Sequence, residues 1–159
     1  PIFYNPSCST YFIPTISATE WACVVASSAF STTSCGCSYV GQSYQGGICA
    51  ETGANALIAA STDNAAYAAI GVSRNWYNAL TSCTNMGSGW YLPNINELLV
   101  ILGNQSGFAA QHYWSSTDGG TTAWTGGNNG GASAPWSVNW NDKTEPYYAT
   151  QVRCVRRAT

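Results

Sequence analysis

Seven cysteines are the residues of this chain best suited to chemistry: Cys8, Cys23, Cys35, Cys37, Cys49, Cys83 and Cys154. Sulfur at this density either holds zinc or forms disulfides. Zinc sites use Cys-x-x-Cys pairs or closely spaced histidines, and the chain has no Cys-x-x-Cys and a single histidine. Disulfides are therefore expected, and with them an oxidising setting: secreted, periplasmic or displayed on a surface. An odd count means that one cysteine is free, links to another chain or pairs beyond this sequence. Cys35-Gly36-Cys37 is too tight to bridge comfortably to itself, so its two sulfurs are assigned different partners. Spacing alone leaves the pairing open.

Catalysis has little to draw on. His112, the only histidine, would have to serve any Ser/His/Asp or Cys/His arrangement. It stands directly before Tyr113-Trp114, where a packed or surface side chain is expected. Glycoside hydrolysis needs two carboxylates drawn from seven acidic residues. Glu97 is expected in a helix cap, and Asp118 and Asp142 in turns. The chain reads as non-enzymatic, with no catalytic residue assigned.

Binding is better supplied. The stretch from Trp124 to Tyr148 holds Trp124, Asn128, Asn129, Trp136, Asn139, Trp140, Asn141, Tyr147 and Tyr148. Aromatic rings stack on sugar faces, and Asn, Ser and Thr supply neutral hydrogen bonds. The candidate ligand-binding residues are Trp136, Trp140, Asn128, Asn129, Asn141 and Tyr147. The competing reading places Trp124 and one or both of Trp136 and Trp140 in the core. Trp90 and Trp114 are assigned to the core.

Composition narrows the partners. Charged residues make up 8% of the chain, against roughly 25% in average proteins. With five basic residues and a net charge of −2, clustered phosphate contacts are excluded, and so is a nucleic-acid partner. Arg153, Arg156 and Arg157 lie close together near the end; solvated charges are expected there, with a small anion site as the alternative. No apolar run reaches the roughly 20 residues of a membrane span, so this segment is not expected to insert. No signal peptide is visible and the first residue is Pro1; the chain reads as a processed product or an excised domain.

The elements that would position these residues follow from pattern. A length of 159 residues suits one domain with a real core. Residues 1–38 form a cysteine-rich N-terminal segment, a stapled cap or a surface for subunit contact. A short helix over Ala18–Ser28 is expected there, started by Thr19 and Glu20 and facing inward with Trp21, Val24 and Val25. Val40–Cys49 reads as a turn feeding a strand, Glu51–Asn55 as a hairpin turn and Ala56–Ala60 as the returning strand. Ser61–Ala69 reads as a loop. A helix is expected over Gly71–Asn85, capped by Ser73, with Trp76, Leu80 and Cys83 on one face and Tyr77 beside them. A second follows Pro93: Asn94 and Glu97 form a capping-box pattern, Ile95, Leu98, Leu99 and Leu102 a buried stripe, and Gly103 the end. Strands are expected over Tyr113–Thr117, Thr121–Trp124 and Trp136–Trp140. Asp118-Gly119-Gly120, the glycine-rich Gly126–Ala132 and Asn141–Lys143 connect them. Tyr148–Arg156 is the expected last strand, with Tyr148, Thr150, Val152 and Cys154 on one face.

Five blocks in order carry a family likeness: Gly41, Tyr44 and Gly46-Gly47-Ile48; Cys83 with Gly89-Trp90-Tyr91-Leu92-Pro93 and Glu97-Leu98; Tyr113-Trp114-Ser115-Ser116-Thr117; Ala123-Trp124; and Val152-Arg153-Cys154-Val155-Arg156. Together they resemble the DUF1566 domain, the C-terminal domain of the Legionella collagen-like adhesin, over residues 39–159, with residues 1–38 outside it. The resemblance implies an α+β, C-type-lectin-like fold: two helices packed on small twisted antiparallel sheets with long loops, stapled by disulfides. It implies that the first and last strands pair, and that Cys83 and Cys154 bridge helix to final strand. It also implies a setting on bacterial surface adhesins, pili or phage appendages. The expected role is therefore a non-enzymatic, extracellular, surface-displayed domain for adhesion or for recognition of a glycan or receptor. The alternative is a structural subunit of a pilus, filament or phage appendage, with copies of itself as neighbours. Some members bind sulfated glycans through basic surfaces, which five basic residues do not supply. Trp140-Asn141-Asp142 matches one short lectin calcium motif and Glu145-Pro146 half of another. Tyr147 follows where an oxygen ligand is wanted, and the order is reversed. No metal ligand is assigned and no cofactor is expected.

Overall fold

Two polar residues start the two helices. Asn75 accepts a hydrogen bond from the Asn78 amide (2.9 Å) and opens α1, Trp76–Thr84. Asn94 accepts from the Glu97 amide, and Glu97 reaches back to the Asn94 amide, giving α2, Ile95–Asn104, the expected capping box. The computed structural model describes residues 3–5, 10–12, 36–65, 67, 74–127, 137–144 and 151–159. The expected helix over Ala18–Ser28 lies outside them, as do Cys8, Cys23, Cys35, Tyr148 and Thr150.

The described architecture is α+β. Strands β1 (Phe3–Asn5) and β2 (Thr10–Phe12) form an antiparallel pair. A four-stranded antiparallel sheet has the order β3 (Ser43–Tyr44), β4 (Gly47–Cys49), β5 (Leu57–Ala59), β9 (Val155–Arg157). A three-stranded antiparallel sheet has the order β6 (His112–Asp118), β7 (Thr122–Gly127), β8 (Ser137–Asp142). The final strand thus pairs with β5, not with the first strand.

Strand β6 divides the core, because adjacent strand residues face opposite ways. Trp114 joins Tyr67, Trp76, Ala79, Cys83, Leu92 and Cys154 around α1. Tyr113 joins Leu57, Leu98, Ile101, Leu102 and Val155 around α2. Gly126 lets α2 approach: a Cβ there would lie 3.2 Å from Leu98 Cδ2 and 3.4 Å from Leu102 Cδ1. Trp114 is fully buried and Trp90 half-buried against the same cluster, as expected of core residues. Of the expected α2 stripe, Leu98 and Leu102 are buried and Ile95 is half-buried, whereas Leu99 faces solvent and Ile101, not in that stripe, is buried in its place.

Among the described residues two disulfides tie the elements together. Cys83 of α1 is bonded to Cys154 beside β9, with Cα atoms 5.4 Å apart, the pairing the resemblance implies. A closure of 71 residues restricts the unfolded chain by roughly 4 kcal/mol in the chain-entropy account. Cys37 is bonded to Cys49 of β4, which joins the end of the N-terminal segment to the second sheet.

Several boundaries differ from the sequence reading. Helix α1 begins at Trp76 behind Asn75, not behind Ser73. Helix α2 runs past Gly103 because its last turn is held from outside: Asn104 Nδ2 donates to the Ala50 carbonyl (3.0 Å) and Gln105 Nε2 to that of Ile48 (2.8 Å). Gly126 and Gly127 belong to β7 rather than to a loop, and Asn141 and Asp142 to β8 rather than to a turn.

The last segment departs most. Val152, Arg153 and Cys154 are all buried, so strict alternation fails there. Arg153 is interior because Asp63 meets it: Nε and Nη2 lie 2.8 and 2.7 Å from Asp63 Oδ1. Its remaining donors reach the carbonyls of Ala60 (3.1 Å) and Gly107 (2.9 Å), and its guanidinium lies over the Phe108 ring. Arg157 bonds Glu51 (2.7 Å) and Glu97 (2.8 Å). Both the solvated-charge and the anion-site readings of this cluster therefore fail for Arg153 and Arg157. Removing the arginine leaves a partly buried carboxylate without its cation, a loss of about 3–5 kcal/mol. Urea unfolding should show that loss for Arg153→Ala. Arg156→Ala, whose side chain lies over Trp90 and forms no ion pair among the described residues, should lose under about 1 kcal/mol.

Candidate functional site

The charged turn between β6 and β7 fixes one surface of the three-stranded sheet. Asp118 accepts from the Gly120 amide (2.6 Å) and from Lys143 Nζ (2.5 Å). Lys143 is itself buried, with its ammonium 4.2 Å from the centre of the Trp76 ring. This bond from Lys143, with the Gly120 amide adding to it, holds the Asp118 carboxyl below the usual carboxylate range. The turn is thus anchored to the core through a cation held between a carboxylate and an indole.

On that turn rests Trp140. A Cβ on Gly119 would lie 2.1 Å from Trp140 Cζ3, so a larger residue there would displace the ring from this position. Trp140 of β8 is the direct cross-strand partner of Trp124 of β7, and the ring centres are 3.9 Å apart at 45°. Trp124 is half-buried, while Trp140 keeps 47% of its surface exposed. An indole locked on two sides and open on the rest presents an apolar face with little rotamer freedom left to lose.

Alternation sets its neighbours. Asp142 follows two residues after Trp140 on the same face and pairs with Thr122, which lies two residues before Trp124. Asp142 Oδ1 accepts from the amide and hydroxyl of Thr144, at 2.8 and 2.7 Å. Those bonds hold its carboxyl below the usual range, so it is charged at neutral pH. No protein donor meets its Oδ2 among the described residues. Trp124, Trp140, Thr122 and Asp142 therefore form one exposed surface: apolar rings beside an ionised acceptor and a hydroxyl.

Of the six candidate residues from sequence, Trp140 stands at the centre of this surface. Asn141 does not belong to it. Its Nδ2 donates to Thr125 Oγ1 (2.5 Å), on the inner face of the sheet beside Ala123. Asn128, Asn129, Trp136 and Tyr147 lie outside the described residues. Trp124, Thr122 and Asp142 were missed. Extending the expected strand two residues past Trp140 would have placed Asp142 with Trp140, since the period of two carries straight on.

The same alternation bears on the calcium motif. Asn141 and Asp142 face opposite sides of β8, so Trp140-Asn141-Asp142 does not aim two side-chain oxygens at one ion. Among the described residues no group of three or more His, Cys, Asp or Glu is placed to hold a metal. A shallow open cleft of about 350 Å³ lies elsewhere, on the β3–β4 hairpin, lined by Ser43, Tyr44 and Ser61 among others. It lacks an ionised group.

His112 is buried on the inner face, with Nδ1 3.4 Å from Thr125 Oγ1. Among the described residues no acid shares a hydrogen bond or ion pair with it. Tyr91 is pushed up to about 12, first by burial and then by its bond to Glu97. Tyr67 and Tyr113 are raised as well, chiefly by burial. These phenols stay protonated and act as donors: Tyr113 to Asp63 (2.9 Å), Tyr67 to the Arg74 carbonyl.

Comparison of the chain with family models, with curated proteins and with solved structures gave no match.

Burial lowers the His112 pKa from the usual 6.5. The unfolded chain then binds the extra proton between the lowered folded value and 6.5, so stability rises with pH through that window. Melting temperature should accordingly increase from pH 5 to pH 7. His112→Gln should flatten the rise, because glutamine keeps a polar group near Thr125 without titrating.

Proposed function

We propose that this chain is a non-enzymatic recognition domain displayed outside the cell, of the C-type-lectin-like kind that the DUF1566 resemblance implies. The observation that carries the reading is the Trp124–Trp140 pair beside Asp142. Its ligand would be a glycan or a glycan-bearing receptor. Stacking on a half-exposed indole and accepting hydroxyl donors at a carboxylate are the two contacts a sugar ring uses best. Two helices set on small antiparallel sheets, with α1 bonded by sulfur to the last segment, are compatible with that fold. Two disulfides are compatible with an oxidising compartment. No helix among the described residues is long and apolar enough to cross a membrane.

A glycan array followed by calorimetry tests this. Trp140→Ala should weaken binding on the order of 30-fold while lowering stability by about 1 kcal/mol. An array without a ligand dependent on Trp140 would remove the proposal.

A second reading, a structural subunit of a filament or appendage, has one observation in its favour. Four of the seven cysteines form the two described bridges. By parity at least one of Cys8, Cys23 and Cys35 has no partner within these residues, and a sulfur so placed can join subunits. Mass and sedimentation of the unreduced chain should then show a covalent dimer that separates with reductant. A monomer carrying an alkylatable thiol would remove this second reading.

A further inference from the structure

We infer that the ligand of the Trp124–Trp140 surface is an uncharged saccharide, and that Asp142 turns away acidic ones. The inference rests on the recognition reading above and adds the ligand class to it. Its ground is where the few charges go. Of the described carboxylates, Glu51 and Glu97 are paired with Arg157, Asp63 with Arg153 and Asp118 with Lys143. Asp142 is the described carboxylate left outside any ion pair, and it stands on the strand face that carries Trp140.

Four of the five bases are held away from the Trp124 and Trp140 rings, and the fifth, Arg74, precedes α1 rather than lying on their strands. Lys143 is buried under the turn, Arg153 is interior and Arg157 bridges two carboxylates. Arg156 lies over Trp90 and is carried on β9, in the other sheet. The strand segments carrying the aromatic surface, Thr122–Gly127 and Ser137–Asp142, contain no basic residue. A sulfate or carboxylate on a bound sugar would thus meet one fixed negative charge and no adjacent cation from these strands. A neutral sugar loses nothing by this and gains an acceptor: Asp142 Oδ2 is open to two hydroxyl donors, while the indole covers the sugar's C–H face.

The size of the effect follows from Coulomb's law. Like unit charges about 4 Å apart in a watery setting disfavour one another by about fivefold in affinity. Removing the Asp142 charge while keeping its shape should restore about that factor to an acidic ligand. Asp142→Asn suits the purpose, since the amide oxygen can still accept from Thr144.

The test takes the neutral oligosaccharides that bind the intact chain and compares each with its sialylated and sulfated counterpart. Calorimetry at low salt should give acidic counterparts weaker by about fivefold or more. Raising sodium chloride should leave the neutral affinities within about twofold, as no counterion is released. In Asp142→Asn the gap between neutral and acidic ligands should close by about fivefold. Acidic ligands that bind as well as neutral ones overturn the inference, as does a steep salt dependence or a gap unchanged in the variant. Trp140-dependent binding of a protein surface alone overturns it too, while leaving the recognition reading in place. No Trp140-dependent binding of any kind overturns both.

Discussion

The contact on which the rest of the structure depends is the buried ion pair of Arg153 with Asp63. It lies one residue from the Cys83–Cys154 bridge, so charge and sulfur fasten the same stretch of chain. Arg153 draws in the Ala60 and Gly107 carbonyls, and Asp63 takes the Tyr113 hydroxyl, which in turn accepts from the Ala109 amide. The end of β5, the loop after α2, the start of β6 and the last segment all meet there. A guanidinium is suited to this, since its five donors can satisfy several carbonyls and a carboxylate at once. Isolated buried charge is expensive, and partial satisfaction is worse than an apolar core. The network therefore forms with all these segments in place or not at all, which makes it specify one arrangement of them.

The second network works similarly at the other end of α2. Glu97 belongs to its helix cap, to Tyr91 and to Arg157, and Arg157 also holds Glu51 near β5. Glu51 further accepts from the Leu57 amide (3.1 Å). A chain with 8% charged residues thus uses most of its described charges as internal ties rather than as a solvating coat. The outer surface is left to Ser, Thr, Asn and exposed rings. A surface of that kind attracts partners through shape and neutral hydrogen bonds, without the long-range steering that a charged patch provides.

Legibility from sequence tracked the range of the interactions. Asn94 and Glu97 are three residues apart, and the capping box could be read because everything it needs is local. The strands around Tyr113–Thr117 and Trp124 were visible through β-branched and aromatic content, and the hairpin around Gly53 through its turn residues. The Cys83–Cys154 bridge came from a family likeness; spacing alone left it open. Arg153 could not be read, because its burial depends on Asp63, which lies 90 residues earlier. Gly103 and Ser73 misled for a related reason. A glycine does not end a helix whose last turn Asn104 and Gln105 tie to the Ala50 and Ile48 carbonyls, and the described start of α1 is set by the Asn75 cap.

The Trp124–Trp140 surface shows how a small boundary error matters in a strand. Ending β8 at Trp140 makes Asn141 and Asp142 equivalent turn residues, both free to reach a ligand. Continuing it by two residues separates them, because the period of two sends Asn141 inward to Thr125 and keeps Asp142 beside Trp140. The chemistry on offer changes with that assignment. Two neighbouring oxygens suggest an ion site; one ionised carboxylate next to a stacked indole suggests a sugar ring lying across both. Trp140 can be exposed and still ordered because Gly119 makes room beneath it, and because Lys143 pins the turn through Asp118. An exposed ring that is already fixed loses little freedom when a ligand arrives, so its contact area converts more fully into affinity. That preorganisation, set by a buried lysine behind the sheet, is what distinguishes Trp140 from Tyr39 or Tyr77, which are more exposed still.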